Sequence, residues 1–133
     1  MATIRSKITT NAPAEDVWSA VRDIGALHTR LVPGFVADTR LEPGARIVTF
    51  VNGVILREPI VTIDDEGRRL VWTAEGGRAR HYNAALEVAS LPGGATSVVW
   101  TADFLPDELH GYFSHAIEAG MAAMQRALDG LAA

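Results

Sequence analysis

The chain has 133 residues, a formal net charge of −4, 48% hydrophobic and 21% charged residues, and no cysteine. This composition predicts one globular domain over residues 1–133, long enough to bury a core of its own. The lack of cysteine excludes a disulfide framework, a thiolate metal site and a cysteine nucleophile. Acidic balance without a basic cluster argues against nucleic acid or an anionic membrane as the main partner. No stretch approaches the ~18 apolar residues of a membrane span, and the N-terminal residues carry no signal-like apolar run. A cytoplasmic protein without an integral membrane segment is expected.

Residues 2–10, "ATIRSKITT", alternate and read as a strand. "NAPAEDVWSAVRD" then carries helix-start signals: Asn11 as a cap candidate, Pro13 near the first helical position, and Glu15 and Asp16 in the first turn. Val17, Val21 and Ile24 supply its apolar spacing, and "ALHTRLV" reads as a second short helix ending at Pro33-Gly34. From Phe35 to Phe104 the pattern is six strands at short spacing, divided by Pro43-Gly44, Asn52-Gly53, Asp64–Gly67, Gly76-Gly77 and Pro92–Gly94. That is an antiparallel meander. Asn-Gly between apolar runs is a strong hairpin signal. The last segment repeats Leu109, Phe113, Ile117, Met121, Met124 and Leu128 at three- and four-residue steps. It predicts a long helix from about Asp107 to Asp129 with one buried face.

Within the meander, "REPIVTIDDEGRRLVW" places Glu58 in an apolar stripe with Val54, Leu56 and Ile60. A carboxylate in that setting faces water, pairs with an Arg, or points into a hollow. Arg46 and Arg57 are the nearest candidate partners. A two-residue turn at Asn52-Gly53 puts Ile47 opposite Glu58, whereas a three-residue turn puts Val48 there. Tyr82, Ala84, Leu86 and Val88 form one strand face, and Val98, Trp100, Ala102 and Phe104 form the next, with Trp72 in a similar stripe. Trp72, Tyr82 and Trp100 each carry a polar group that needs a partner when buried.

"NAPAEDVWSAVRDIGALHTRLVPG", "REPIVTIDDEGRRLVW", "HYNAALEV" and "VVWTADFLPD" together resemble the START-like, helix-grip (SRPBCC) superfamily, from about Ile4 to about Leu128. The bacterial branch called polyketide cyclase/dehydrase and lipid transport proteins is the most similar. The resemblance implies an α+β fold: a curved seven-stranded antiparallel sheet, two short helices and a long C-terminal helix. It also implies a cavity between sheet and helix for a small, mostly hydrophobic molecule. Similarity to the plant abscisic acid receptors implies that Glu58 and Tyr82 point into that cavity, with Phe113, Ile117 and Met121 presented by the helix. Two departures, the short "VNGV" loop and the lack of a Lys in "PGFVADT", argue against a gated receptor for an acidic hormone.

The candidate ligand-binding set is Glu58, Trp72, Tyr82, Trp100, Phe104, Phe113, Ile117 and Met121. Were the protein an enzyme of the cyclase or dehydratase type, Glu58 and Tyr82 are the best candidates for catalysis, since ring closure needs a base and a donor for the enolate. A ligand carrier uses the same groups only to orient its cargo. A protein-interaction module of the kind found among the fold's chaperone cofactors is the third reading. No cofactor or metal is expected. His28, His81, His110 and His115 form no ligand set, since His110 and His115 lie roughly 140° apart on a helix.

Overall fold

The computed structural model describes residues 1–132. Seven strands form one antiparallel sheet: β1 (Ala2–Thr10), β2 (Val36–Glu42), β3 (Ala45–Phe50), β4 (Ile55–Asp64), β5 (Arg69–Thr73), β6 (His81–Ser90) and β7 (Thr96–Leu105). Their order is β1-β7-β6-β5-β4-β3-β2. The strands from β2 to β7 are a pure meander, and β1 joins it beside β7. Residues 14–31 therefore carry the chain from one sheet edge to the other. They do so through α1 (Ala14–Arg22) and a π-helical turn (Leu27–Leu31). After β7 a 3₁₀ turn (Asp107–Leu109) leads into α2 (His110–Leu131). This is the α+β helix-grip architecture that the family resemblance implies.

The registers follow from alternation. Tyr82, Ala84, Leu86 and Val88 stand opposite Phe104, Ala102, Trp100 and Val98, and all eight side chains are buried on one face. Ile117, Met121, Met124 and Leu128 of α2 are buried against that side. The helix lies mainly along β1 and touches the sheet closely at Gly120. A Cβ placed there would stand 2.9 Å from Trp100 Cζ3 and 3.1 Å from Phe35 Cε2. Glycine in this helix is thus a packing requirement.

Two local expectations are corrected. The N-cap of α1 is Pro13, and no side chain caps the helix, so Asn11 does not serve. The β3–β4 loop has three residues, Val51 to Gly53, closed by Phe50 N–H donating to Val54 O at 2.8 Å. Gly53 at φ 93° takes the left-handed position that ends such a loop. Starting the turn one residue early sets Arg46, not Ile47 or Val48, opposite Glu58.

Asp65 ties α1 to the β4–β5 turn. It accepts hydrogen bonds from Trp18 Nε1 at 2.9 Å and from Arg22 Nε at 2.6 Å. The bonds to Arg22 and then to Trp18 hold its carboxyl below the ordinary range. A depressed folded-state pKa contributes stability above the unfolded value that is lost as pH falls through the folded one. Asp65→Asn is therefore expected to flatten the acid limb of a stability-versus-pH curve measured by urea unfolding below about pH 5. For Gly120→Ala, the gain in helix propensity of about 1 kcal/mol is outweighed by overpacking of about 1–3 kcal/mol. A lower urea midpoint is the expected result.

Candidate functional site

The concave face of the sheet and α2 do not meet everywhere. Between them lies a mostly apolar hollow of about 130 Å³, many times what one water needs. Trp72, Tyr82 and Trp100 line it from β5, β6 and β7, and Phe113, Ile117 and Met124 from α2. Leu31 and Phe35, from the π-helical turn and the segment after it, close the side near β2. At the rim the Arg78 guanidinium lies over the Tyr112 ring, 4.5 Å from its centroid.

Of the side chains proposed from the sequence, Glu58, Trp72, Tyr82, Trp100, Phe113 and Ile117 share this lining. Phe104 and Met121 do not, and they correct the expected set. Phe104 is fully buried, and its ring is packed against Phe113 with centroids 4.7 Å apart, so Phe113 takes the place beside the hollow. Met121 is buried in the core and lies outside the lining of the hollow. Met124, one turn on, faces the hollow instead.

Glu58 sits on β4, where Leu56 and, just before the strand, Val54 reach the same lining. Directly across on β3, Arg46 Nε donates to Glu58 Oε1 at 2.8 Å, and the two residues are only 2% and 5% exposed. Arg57 points to the other face and pairs with Glu42 and Glu75 instead. Of the settings left open for Glu58, it both pairs with an Arg and borders the hollow, and Arg46 is the partner. Burial pushes the Glu58 carboxyl up, and the charge and hydrogen bond of Arg46 pull it back only in part. The Arg46 guanidinium is also held over Trp72, 5.3 Å from the ring centroid. That contact is favourable where water is excluded.

Arg46, named from the sequence only as a candidate partner of Glu58, is the lining residue absent from the expected binding set. A signal was present in "ARIVTF", where Arg46 shares its period-two face with Val48 and Phe50. A strand with two apolar residues on that face turns it inward, and the Arg goes with it. Two further polar features mark the interior. Tyr82's phenol is pushed well above its ordinary range, first by burial and then by the charge of Glu58. The Trp100 indole Nε1 and Arg46 Nη1 are buried donors without an acceptor among the described residues. Tyr82 lies near the Trp100 N–H, but no hydrogen bond with acceptable geometry forms.

Among the described residues no group of three or more His, Cys, Asp or Glu is placed to hold a metal ion. No described helix is long and apolar enough to cross a membrane.

A curved sheet gripping a long helix around an internal hollow defines the helix-grip class. Within it, the chain belongs to the family described as polyketide cyclase / dehydrase and lipid transport, whose model matches residues 1–133. Among solved structures, a protein from Thermobifida fusca is 32% identical, with 98% of this chain and 95% of that one covered and a TM-score of 0.77. The protein XoxI from Bacillus cereus is 18% identical, with 96% of each chain covered and a TM-score of 0.86. An uncharacterized protein from Bacillus thuringiensis is 17% identical, with 96% and 98% covered and a TM-score of 0.85. At such identities the last two share the fold alone. No curated protein matches the chain.

The Arg46–Glu58 pair is open to a direct test. Removing one partner of a buried ion pair strands the other, at a cost of about 3–5 kcal/mol, whereas replacing both with apolar groups is often neutral or stabilising. Arg46→Met is expected to lose stability on that scale, and Arg46→Met with Glu58→Met to recover most of it. The single variant also has a pH signature. A carboxyl whose folded pKa is raised contributes stability fully present below its unfolded pKa and lost as pH rises through the folded one. Without Arg46 that rise is larger, so the deficit of Arg46→Met in urea unfolding should shrink as pH falls toward 4.5. A deficit independent of pH would mean that Glu58 is not stranded.

Proposed function

We propose that this protein binds a small, mostly hydrophobic molecule in the hollow between the sheet and α2. The observation that carries the reading is the hollow itself: an apolar space rimmed by Arg78 and Tyr112, with a few polar groups gathered at Glu58. A cavity of that character with sparse, fixed polar groups is how proteins hold apolar ligands in one orientation. A packed core leaves few voids larger than a water molecule, so an interior space of this size carries a cost that ligand occupancy offsets. Membership in a family that includes lipid transport supports the same reading.

A second reading, a polyketide-type cyclase or dehydratase, uses the same space. It is favoured by the placement of Glu58 and Tyr82 in one lining, with the carboxyl raised by burial. A base whose pKa is raised toward neutrality suits abstraction of a proton beside a carbonyl. Glu58→Gln separates the two. It should abolish turnover and spare binding if the protein is an enzyme, and change only affinity if it is a carrier.

The binding reading is tested by filling the hollow. Ala116 faces it from α2, and Ala116→Phe is expected to lower the affinity for the neutral dye Nile red at least tenfold while the protein stays folded by circular dichroism. Native mass spectrometry after gentle purification should show an added mass that the variant lacks. Unaltered dye binding by a folded Ala116→Phe would place the dye elsewhere and sink the reading.

A further inference from the structure

The inner wall of the hollow carries an imbalance between donors and acceptors. Arg46 spends Nε on Glu58, and its Nη1 is buried in the cavity lining with nothing to receive its hydrogens. Trp100 Nε1, in the same lining, is a second buried donor without an acceptor. Buried N–H groups are almost always paired, because an unmade bond costs the full desolvation of the group. Both donors are also held in place. Glu58 and the Trp72 face fix the guanidinium, and the Trp100 ring is pressed against Gly120. Here are donors kept ready for an acceptor that the protein itself does not supply.

Resting on the binding reading above, we propose that the ligand carries a neutral carbonyl oxygen at its buried end, received by Arg46 Nη1, with Trp100 Nε1 as a second donor on the same wall. The charge of the site decides between a carbonyl and a carboxylate. Arg46 already has Glu58 as its counter-ion at 2.8 Å, so the pair is neutral as a unit. A ligand carboxylate would set two anions against one cation in a space with little water, where unpaired charge is most costly. A ketone or ester oxygen accepts the hydrogen bond and adds no charge. Arg46 is thus the residue that sets ligand class, and Glu58 positions it and cancels its charge. The apolar walls select shape; this donor pair selects the functional group.

Three probes with one phenyl-alkyl frame test the assignment by equilibrium dialysis: butyrophenone, the hydrocarbon butylbenzene, and phenylbutyrate. Referred to each probe's own water-to-alkane partition, butyrophenone should bind roughly tenfold or more tightly than butylbenzene, as a hydrogen bond to a charged donor implies. Phenylbutyrate should be the weakest. In Arg46→Met with Glu58→Met the ketone should lose that advantage while butylbenzene still binds. Trp100→Phe, which removes three ring atoms, the indole N–H among them, should lower ketone affinity by a larger factor than it lowers hydrocarbon affinity. In the wild-type protein, butyrophenone should also shift the Trp100 indole resonance in a nitrogen-15 NMR spectrum downfield. Equal partition-corrected binding of ketone and hydrocarbon would overturn the carbonyl assignment and leave the apolar cavity standing. Tighter binding of phenylbutyrate would overturn it in favour of an acid. If none of the three probes bound, the binding reading would fall together with this inference. The wild-type comparison decides the matter even where the double variant does not fold.

Discussion

One helix cannot cover seven strands. At a spacing of about 4.8 Å the sheet is roughly 29 Å across, whereas a helix with its side chains is about 10–12 Å wide. The long helix lies along β1 and meets the β7 tryptophan at Gly120, so the half of the sheet toward β2 is left without it. Curvature and the π-helical turn bring Leu31 and Phe35 over part of that half. What remains is the hollow. Its position follows from where the single cover is laid, and its walls are the inward residues of the uncovered strands.

The same constraint explains why a charged pair is tolerated in the interior. Arg46 and Glu58 stand across β3 and β4, in the half of the sheet away from α2's contact along β1. A buried ion pair seldom improves stability over well-packed apolar residues, so its presence is better understood through what it positions. Here it holds a guanidinium over Trp72 in the lining of the hollow, with Nη1 left unpaired. Burial and pairing pull the Glu58 carboxyl in opposite directions, and burial dominates. The interior is then apolar in bulk, neutral in net charge and rich in donors.

The fold is shared with bacterial proteins of 17–32% identity, while the site is written in individual side chains. Architecture of this kind supports carriers and enzymes alike, because the sheet and helix supply only a space. Chemistry resides in the few polar groups that line it. In this chain those include Arg46, Glu58, Tyr82 and the indole of Trp100, with Arg78 and Tyr112 at the rim.

The sequence alone determined the elements. Alternation along β6 and β7, the three- and four-residue steps of α2 and the Gly-Pro breaks between strands are local signals, and the observed boundaries agree with them within a residue or two. Much of the lining was legible too, because Trp72, Tyr82 and Trp100 sit at inward positions of period two. Two things belonged to the tertiary structure. One was register: moving the β3–β4 turn by a single residue exchanges the residue facing Glu58, and Gly53's positive φ set that turn. Sequence patterns around Asn-Gly allow several turn lengths, so Arg46 stayed one of two candidate partners. The other was which buried residues border empty space. Phe104 and Met121 carry the same inward signal as Phe113 and Met124, since periodicity reports the face and not the distance to the opposing layer. Only the helix's path across the sheet, set by its contact at Gly120, separates a wall of the cavity from its packed surroundings.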